Sequence, residues 1–197
     1  MIPANNVLLM SPMKIKQIFL WLILSVAGLN LVPTASLMTA GSVLTPSDES
    51  DVRAAVQRIF DQLKGGQYET LYDSLPSSSR ARMSRDRLVQ GLQGTRNMYQ
   101  LDRIEIGAVR VSGNLAVVDT VMYARIAKPF DAEGKLVVQQ YLVREDGSWR
   151  VATGDNATIN QFLKSNPAFA RKFPIKPTRA YVKQNGQWVE FKLPRRQ

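Results

Sequence analysis

The 197-residue chain contains no cysteine and no histidine. Without cysteine it can form no disulfide, no thiolate metal site and no thiol nucleophile, and it cannot carry the lipidated cysteine of a lipoprotein. Without histidine it lacks the commonest metal ligand and the side chain best suited to proton transfer near neutral pH. A Ser-His-Asp triad, a zinc hydrolase of the histidine type and a His-ligated haem site are excluded. The sequence also has no phosphate-binding loop, dinucleotide fingerprint or calcium loop, so no cofactor is expected.

What the chain has in excess is positive charge, unevenly spread. Residues 1–43 carry two lysines and no acid, and residues 44–163 carry fifteen basic and fifteen acidic residues. Residues 164–197 carry nine basic residues against Glu190 alone, a net of +8. A neutral domain therefore precedes a basic tail. Lys14 and Lys16 stand before an apolar run from Ile18 to Leu29, followed by Asn30, Leu31, Val32 and Pro33. This is the pattern of a signal peptide. Including the residues up to Val32 makes it an uncleaved anchor instead. Residues 1–40 are read as one or the other. Positive charge ahead of the run places the domain outside the cytoplasm, periplasmic or membrane-anchored.

Residues 44–155 read as one α+β domain and 156–197 as a basic extension. Thr45-Pro46-Ser47-Asp48 is a helix start, with acids in the first turn. Val52, Ala55, Val56, Ile59, Phe60 and Leu63 then form one apolar stripe, ended by Gly65-Gly66. A short helix holds Tyr68, Leu71, Tyr72 and Leu75, closed by Pro76. A third runs from about Ser79 or Ser84 to Gln93, carrying Arg80, Arg82, Arg85 and Arg87. The apolar period then changes to two. Strands are predicted around Ile104 to Val111, over Leu115–Ile126, over Leu136–Arg144 and over Trp149–Ala152, with a hairpin turn at Asp146-Gly147. In the extension, residues 158–163 and 168–173 read as helical, Pro174 and Pro177 enforce extension, and Tyr181–Phe191 reads as a hairpin on Asn185-Gly186.

The order of amphipathic helix, Gly-Gly, a Tyr-x-x-x-Tyr helix, Leu-Pro, a further helix and four strands resembles the NTF2-like (cystatin-like cone) superfamily, in particular its exported bacterial members. The resemblance spans about residues 48–153 and ends on the hairpin from Tyr141 to Val151, which carries Trp149. It implies N-terminal helices packed on a curved antiparallel sheet, with a C-terminal helix and β-hairpin added. It also implies a pocket at the open end and a homodimer through the open sheet face.

If one strand parity lines the cone, Asp119, Tyr123, Gln139 and Tyr141 form a polar patch in an apolar pocket, fit for a small apolar ligand. The bland alternative leaves them on an outer surface. Trp149, Tyr68 and Tyr72 read as core or rim, and the Arg80–Arg87 cluster as a solvated helix face. In the extension, Lys164, Arg171, Lys172, Lys176, Arg179, Lys183, Trp188, Arg195 and Arg196 are the candidate anion- or partner-binding residues. The partner expected is an anionic envelope surface or an acidic protein, with nucleic acid a weaker third. The leading expectation is a non-catalytic envelope protein whose cone acts as a scaffold or binding module. Its rival is an isomerase- or dehydratase-like enzyme using Asp119 with Tyr123 or Tyr141, which requires a closed cavity and a carboxyl of raised pKa.

Overall fold

The computed structural model describes residues 46–128, 131–152 and 156–191. The apolar N-terminal segment lies outside the described residues, as do Arg195 and Arg196. Among the described residues no helix is long and apolar enough to cross a membrane.

The first element is α1, Pro46–Gly65, with Asp48 and Glu49 in its first turn. Its stripe of Val52, Ala55, Val56 and Phe60 is buried, as its spacing predicts. Gly66 leaves the helix at φ +71°, a conformation that other residues rarely adopt. Three short helices follow: α2 Tyr68–Asp73, α3 Ser77–Arg80 and α4 Arg85–Thr95. Of the two starts expected for the third helix, Ser84 holds: its hydroxyl accepts from the Arg87 N–H at 3.3 Å and caps α4, while Ser79 lies in the separate α3. Tyr68, Leu71, Leu75, Leu88 and Leu92 bury one another between α2 and α4.

Then come β1 Tyr99–Ser112, β2 Leu115–Ile126, β3 Ala132–Glu145 and β4 Ser148–Val151. The extension folds as α5 Asn156–Ser165, α6 Pro167–Lys172, β5 Arg179–Gln184 and β6 Gln187–Phe191. All described strand pairs are antiparallel, in the order β1-β2-β3-β5-β6 with β4 also on β3. This is the α+β arrangement that the cone resemblance implies, with two strands added. The tail hairpin does not stand apart. Its β5 pairs with Gly134–Val137 of β3, while β4 pairs with Leu142–Glu145 on the same side. One long strand is therefore shared end to end by the domain's last hairpin and the extension's hairpin. Both turns, Asp146-Gly147 and Asn185-Gly186, have positive φ at each residue, as their sequences demand.

Two register shifts interrupt β1, one between Leu101 and Arg103 and one between Ile106 and Val109. Such bulges bend and twist a strand. Both are held from α1: the Arg53 guanidinium donates to the Ile106 carbonyl at 2.9 Å, and the Lys64 ammonium to the Asp102 carbonyl. The first shift also explains why β1 begins at Tyr99 rather than near the expected Ile104. The two-residue period breaks at Asp102, so the earlier stretch of strand was illegible.

The face of the sheet toward α1 is built from Val111, Ala116, Val118, Leu142, Trp149 and Val151 at one end. Leu101, Met122, Ile126, Leu136 and Ala180 continue it at the other, around Phe60. Gly134 lies in this second cluster's sheet, where an added Cβ would meet Ile126 Cδ1 at 2.8 Å. Gly134→Ala is expected to cost about 1 kcal/mol by overpacking, read as a lower urea midpoint at unchanged slope.

Candidate functional site

The opposite, outer face of the sheet carries the candidate residues. Of the two placements that the sequence allows for Asp119, Tyr123, Gln139 and Tyr141, inside the cone or on an outer surface, the structure has the second. The parity that packs on α1 is instead Ala116, Val118 and Met122. Alternation did not discriminate here because Val117 is also fully buried: α5 and α6 cover the outer face over it and Tyr141, through Leu163 and Phe169. Both parities of β2 are apolar because both faces are covered at this point.

Three of the four residues meet. Asp119 and Gln139 are register partners on β2 and β3. The Gln139 amide donates to Asp119 Oδ1 at 3.2 Å, and the Tyr141 hydroxyl donates to Gln139 Oε1 at 3.0 Å. Two further groups complete the cluster, neither of which the strand reading assigned to it. Arg110 forms a bidentate pair with Asp119, at 3.0 and 2.7 Å. Lys176 joins twice, its Nζ donating to Asp119 Oδ2 at 2.7 Å and its backbone N–H to Gln139 Oε1 at 2.7 Å. The second β1 bulge brings Arg110 there. Because it shifts the register by one, Arg110 stands opposite Val117 and shares its face. The signal was present in sequence: apolar residues fall at Ile104 and Ile106, then at Val109 and Val111, skipping one position.

Electrostatics follow from this arrangement. The guanidinium of Arg110 first, and then Lys176 and Gln139, hold the Asp119 carboxyl well below the usual carboxylate range, against a smaller opposing effect of burial. Burial, and less so the Asp119 charge, push the Tyr141 hydroxyl up against the pull of Arg110. The rival enzyme reading needed the reverse, a carboxyl raised in a closed cavity. Asp119 is instead an ionised acceptor taken up by three side chains. The cluster is a clasp that fastens the segment after α6 to the sheet.

Tyr123 is not part of it. It lies farther along β2, with the Arg103 guanidinium 3.7 Å from its ring centroid and the Trp188 ring edge-on at 6.1 Å. The Lys135 ammonium sits 4.8 Å from the Tyr181 ring and 4.7 Å from that of Trp188. Lys183 pairs with Glu133 at 3.0 Å. Beside this group opens a cleft of about 370 Å³, lined by Lys64, Gln100, Arg103, Tyr123, Arg125 and Glu133 among others. Arg103 and Arg125 both have acidic partners there, Asp102 and Asp131.

Among the solved structures that match this chain are one from a Streptomyces species and one from Nostoc punctiforme. The structure of Aln2 from a Streptomyces species has a TM-score of 0.42 at 11% identity, covering 61% of this chain and 99% of that one. A domain of unknown function with a cystatin-like fold from Nostoc punctiforme has a TM-score of 0.40 at 18% identity, covering 66% and 93%. No protein-family model and no curated protein matches the sequence.

The remaining candidates divide clearly. Lys176 and Lys183 are engaged in fastening the extension to the sheet. Lys164, Arg171, Lys172 and Arg179 are exposed, and among the described residues none of them has an acidic partner. The helix cations behave as local structure. Arg85 pairs with Asp73 at 2.6 Å and lies over the Tyr72 ring, and Arg82 donates to the Ser78 carbonyl. Trp149 and Tyr68 are buried in the core.

Proposed function

We propose that this chain is a non-catalytic binding module of the cell envelope, whose cone-like domain is the scaffold and whose extension docks on an anionic surface. One observation carries the reading. Residues 156–189 contain no acid, and after two of their basic side chains are used in fastening, Lys164, Arg171, Lys172 and Arg179 remain exposed without acidic partners among the described residues. A surface of phosphate groups attracts such side chains at about 1 kcal/mol each at low salt. The placement outside the cytoplasm rests on the charged and apolar pattern of the first forty residues. The absence of histidine, and the engagement of Asp119 in the clasp, favour binding over proton-transfer chemistry.

The test is partition of the full chain onto lipid vesicles. Phosphatidylcholine vesicles give the baseline for whatever the apolar N-terminal segment contributes. Phosphatidylglycerol vesicles are expected to bind more, with the excess removed by salt. Replacing Lys164, Arg171 and Lys172 together by Ala should weaken that excess by about 100-fold, the product of three such contributions. Equal binding to both vesicles removes the reading and leaves an acidic protein as the docking partner.

A further inference from the structure

We infer that the surface is specifically a lipid bilayer, and that Ile175 and Pro177 form an apolar tip that enters it. The inference rests on the anionic-surface reading above and names its partner. Pro174 and Pro177 fix their own φ and keep the segment between them extended. In an extended chain neighbouring side chains point to opposite sides. The clasp settles which side is which. Lys176 is turned to the sheet, its ammonium on Asp119 and its backbone N–H on Gln139, each at 2.7 Å. Ile175 is therefore turned outward, 51% exposed, and Pro177, also exposed, shares its side.

A lone exposed isoleucine needs no explanation. This one is held in place by two hydrogen bonds from its neighbour, one of them charge-assisted, and it lies between cations. Arg171 and Lys172 precede it and Arg179 follows, all exposed. A water-soluble polyanion offers phosphates to those cations and nothing to the tip. A bilayer offers both, headgroup phosphates for Arg171, Lys172 and Arg179 and an apolar layer beneath for Ile175.

The absence of cysteine makes the test direct, because Ile175→Cys gives the full chain a single thiol. It is labelled with a nitrobenzoxadiazole fluorophore and mixed with phosphatidylglycerol or phosphatidylcholine vesicles. Gln90→Cys, exposed on α4, is the control. The expected result is a blue-shifted, at least twofold brighter emission at position 175 on phosphatidylglycerol only, quenched by spin-labelled acyl chains, with no change at position 90. Separately, Ile175→Ser should weaken the phosphatidylglycerol excess by roughly 10-fold, as loss of one buried aliphatic side chain implies. Excess binding to phosphatidylglycerol without a change at 175 overturns the tip and leaves the anionic-surface reading standing. No excess binding overturns both. A shift at both labels overturns the assigned orientation and the tip with it.

Discussion

Trp149→Ala should lower the unfolding free energy by about 3–5 kcal/mol, the range for losing a large aromatic from a packed core. Trp149 stands on β4 and packs with Val52, Ala55 and Val56 of α1, joining the sheet's last domain strand to the helix it wraps. It is 7% exposed. The Arg144 guanidinium lies 4.5 Å from its ring centroid and is itself paired with Asp48 at the start of α1. Removing the ring therefore leaves a cavity and deprives a charged pair of its apolar support. Trp149→Phe should cost far less than Trp149→Ala. The indole N–H is buried without a hydrogen-bond partner among the described residues, so phenylalanine forfeits volume and no bond. Urea unfolding of the two variants checks the contrast. Equal losses would mean that the indole N–H matters after all.

Asp119→Ala should unfasten the extension, at a cost of about 2 kcal/mol, the scale of hydrogen bonds to a charged group in a partly solvated site. Arg110 and the Lys176 ammonium lose their shared acceptor. The expected readout is local: faster amide exchange and protease cleavage across residues 173–179, while α1 stays protected. The pH dependence follows from the same contacts. The folded pKa of Asp119 is depressed, so its contribution is fully present above the unfolded value of about 3.9 and is lost as pH falls below it toward the folded value. The native chain should keep its extension fastened at pH 5 and begin to lose this stabilisation only below about pH 4. In Asp119→Ala that part of the acid dependence should vanish. An unchanged acid profile would show that the clasp adds nothing.

The elements that the sequence made legible are those with one face covered. The α1 stripe is the plain case, buried at Val52, Ala55, Val56 and Phe60. The two hairpin turns are another, because Asp-Gly and Asn-Gly supply positive φ by residue type. The site was harder because it lies where that logic fails. Ala116, Val117 and Val118 are all fully buried, one parity under α1 and the other under α5 and α6, so apolar spacing could not say which face was inside. Asp119, Gln139 and Tyr141 do meet, but on the outer side of the sheet. Tyr123 shares only their strand parity, and Val121 stands between it and Asp119 along the strand. Lys176 stands in sequence among the candidate anion- or partner-binding residues because nothing local announces a partner 57 residues away. That the tail hairpin joins β3 was also invisible, since it depends on β4 being short enough to leave half of β3 free.

The α1 side chains that hold the β1 bulges have a consequence for assembly. An open antiparallel sheet has two rims, and each can template the strand of another molecule. At the β1 rim, an arriving strand meets Arg53 and Lys64 reaching to the carbonyls of Ile106 and Asp102, and a ladder broken at both places. At the other rim the free edges are short: β4 runs four residues, Ser148–Val151, and β6 five, Gln187–Phe191. The sheet is thus unequal at its two rims: strand addition meets a bent, twice-interrupted strand at one and only short strands at the other.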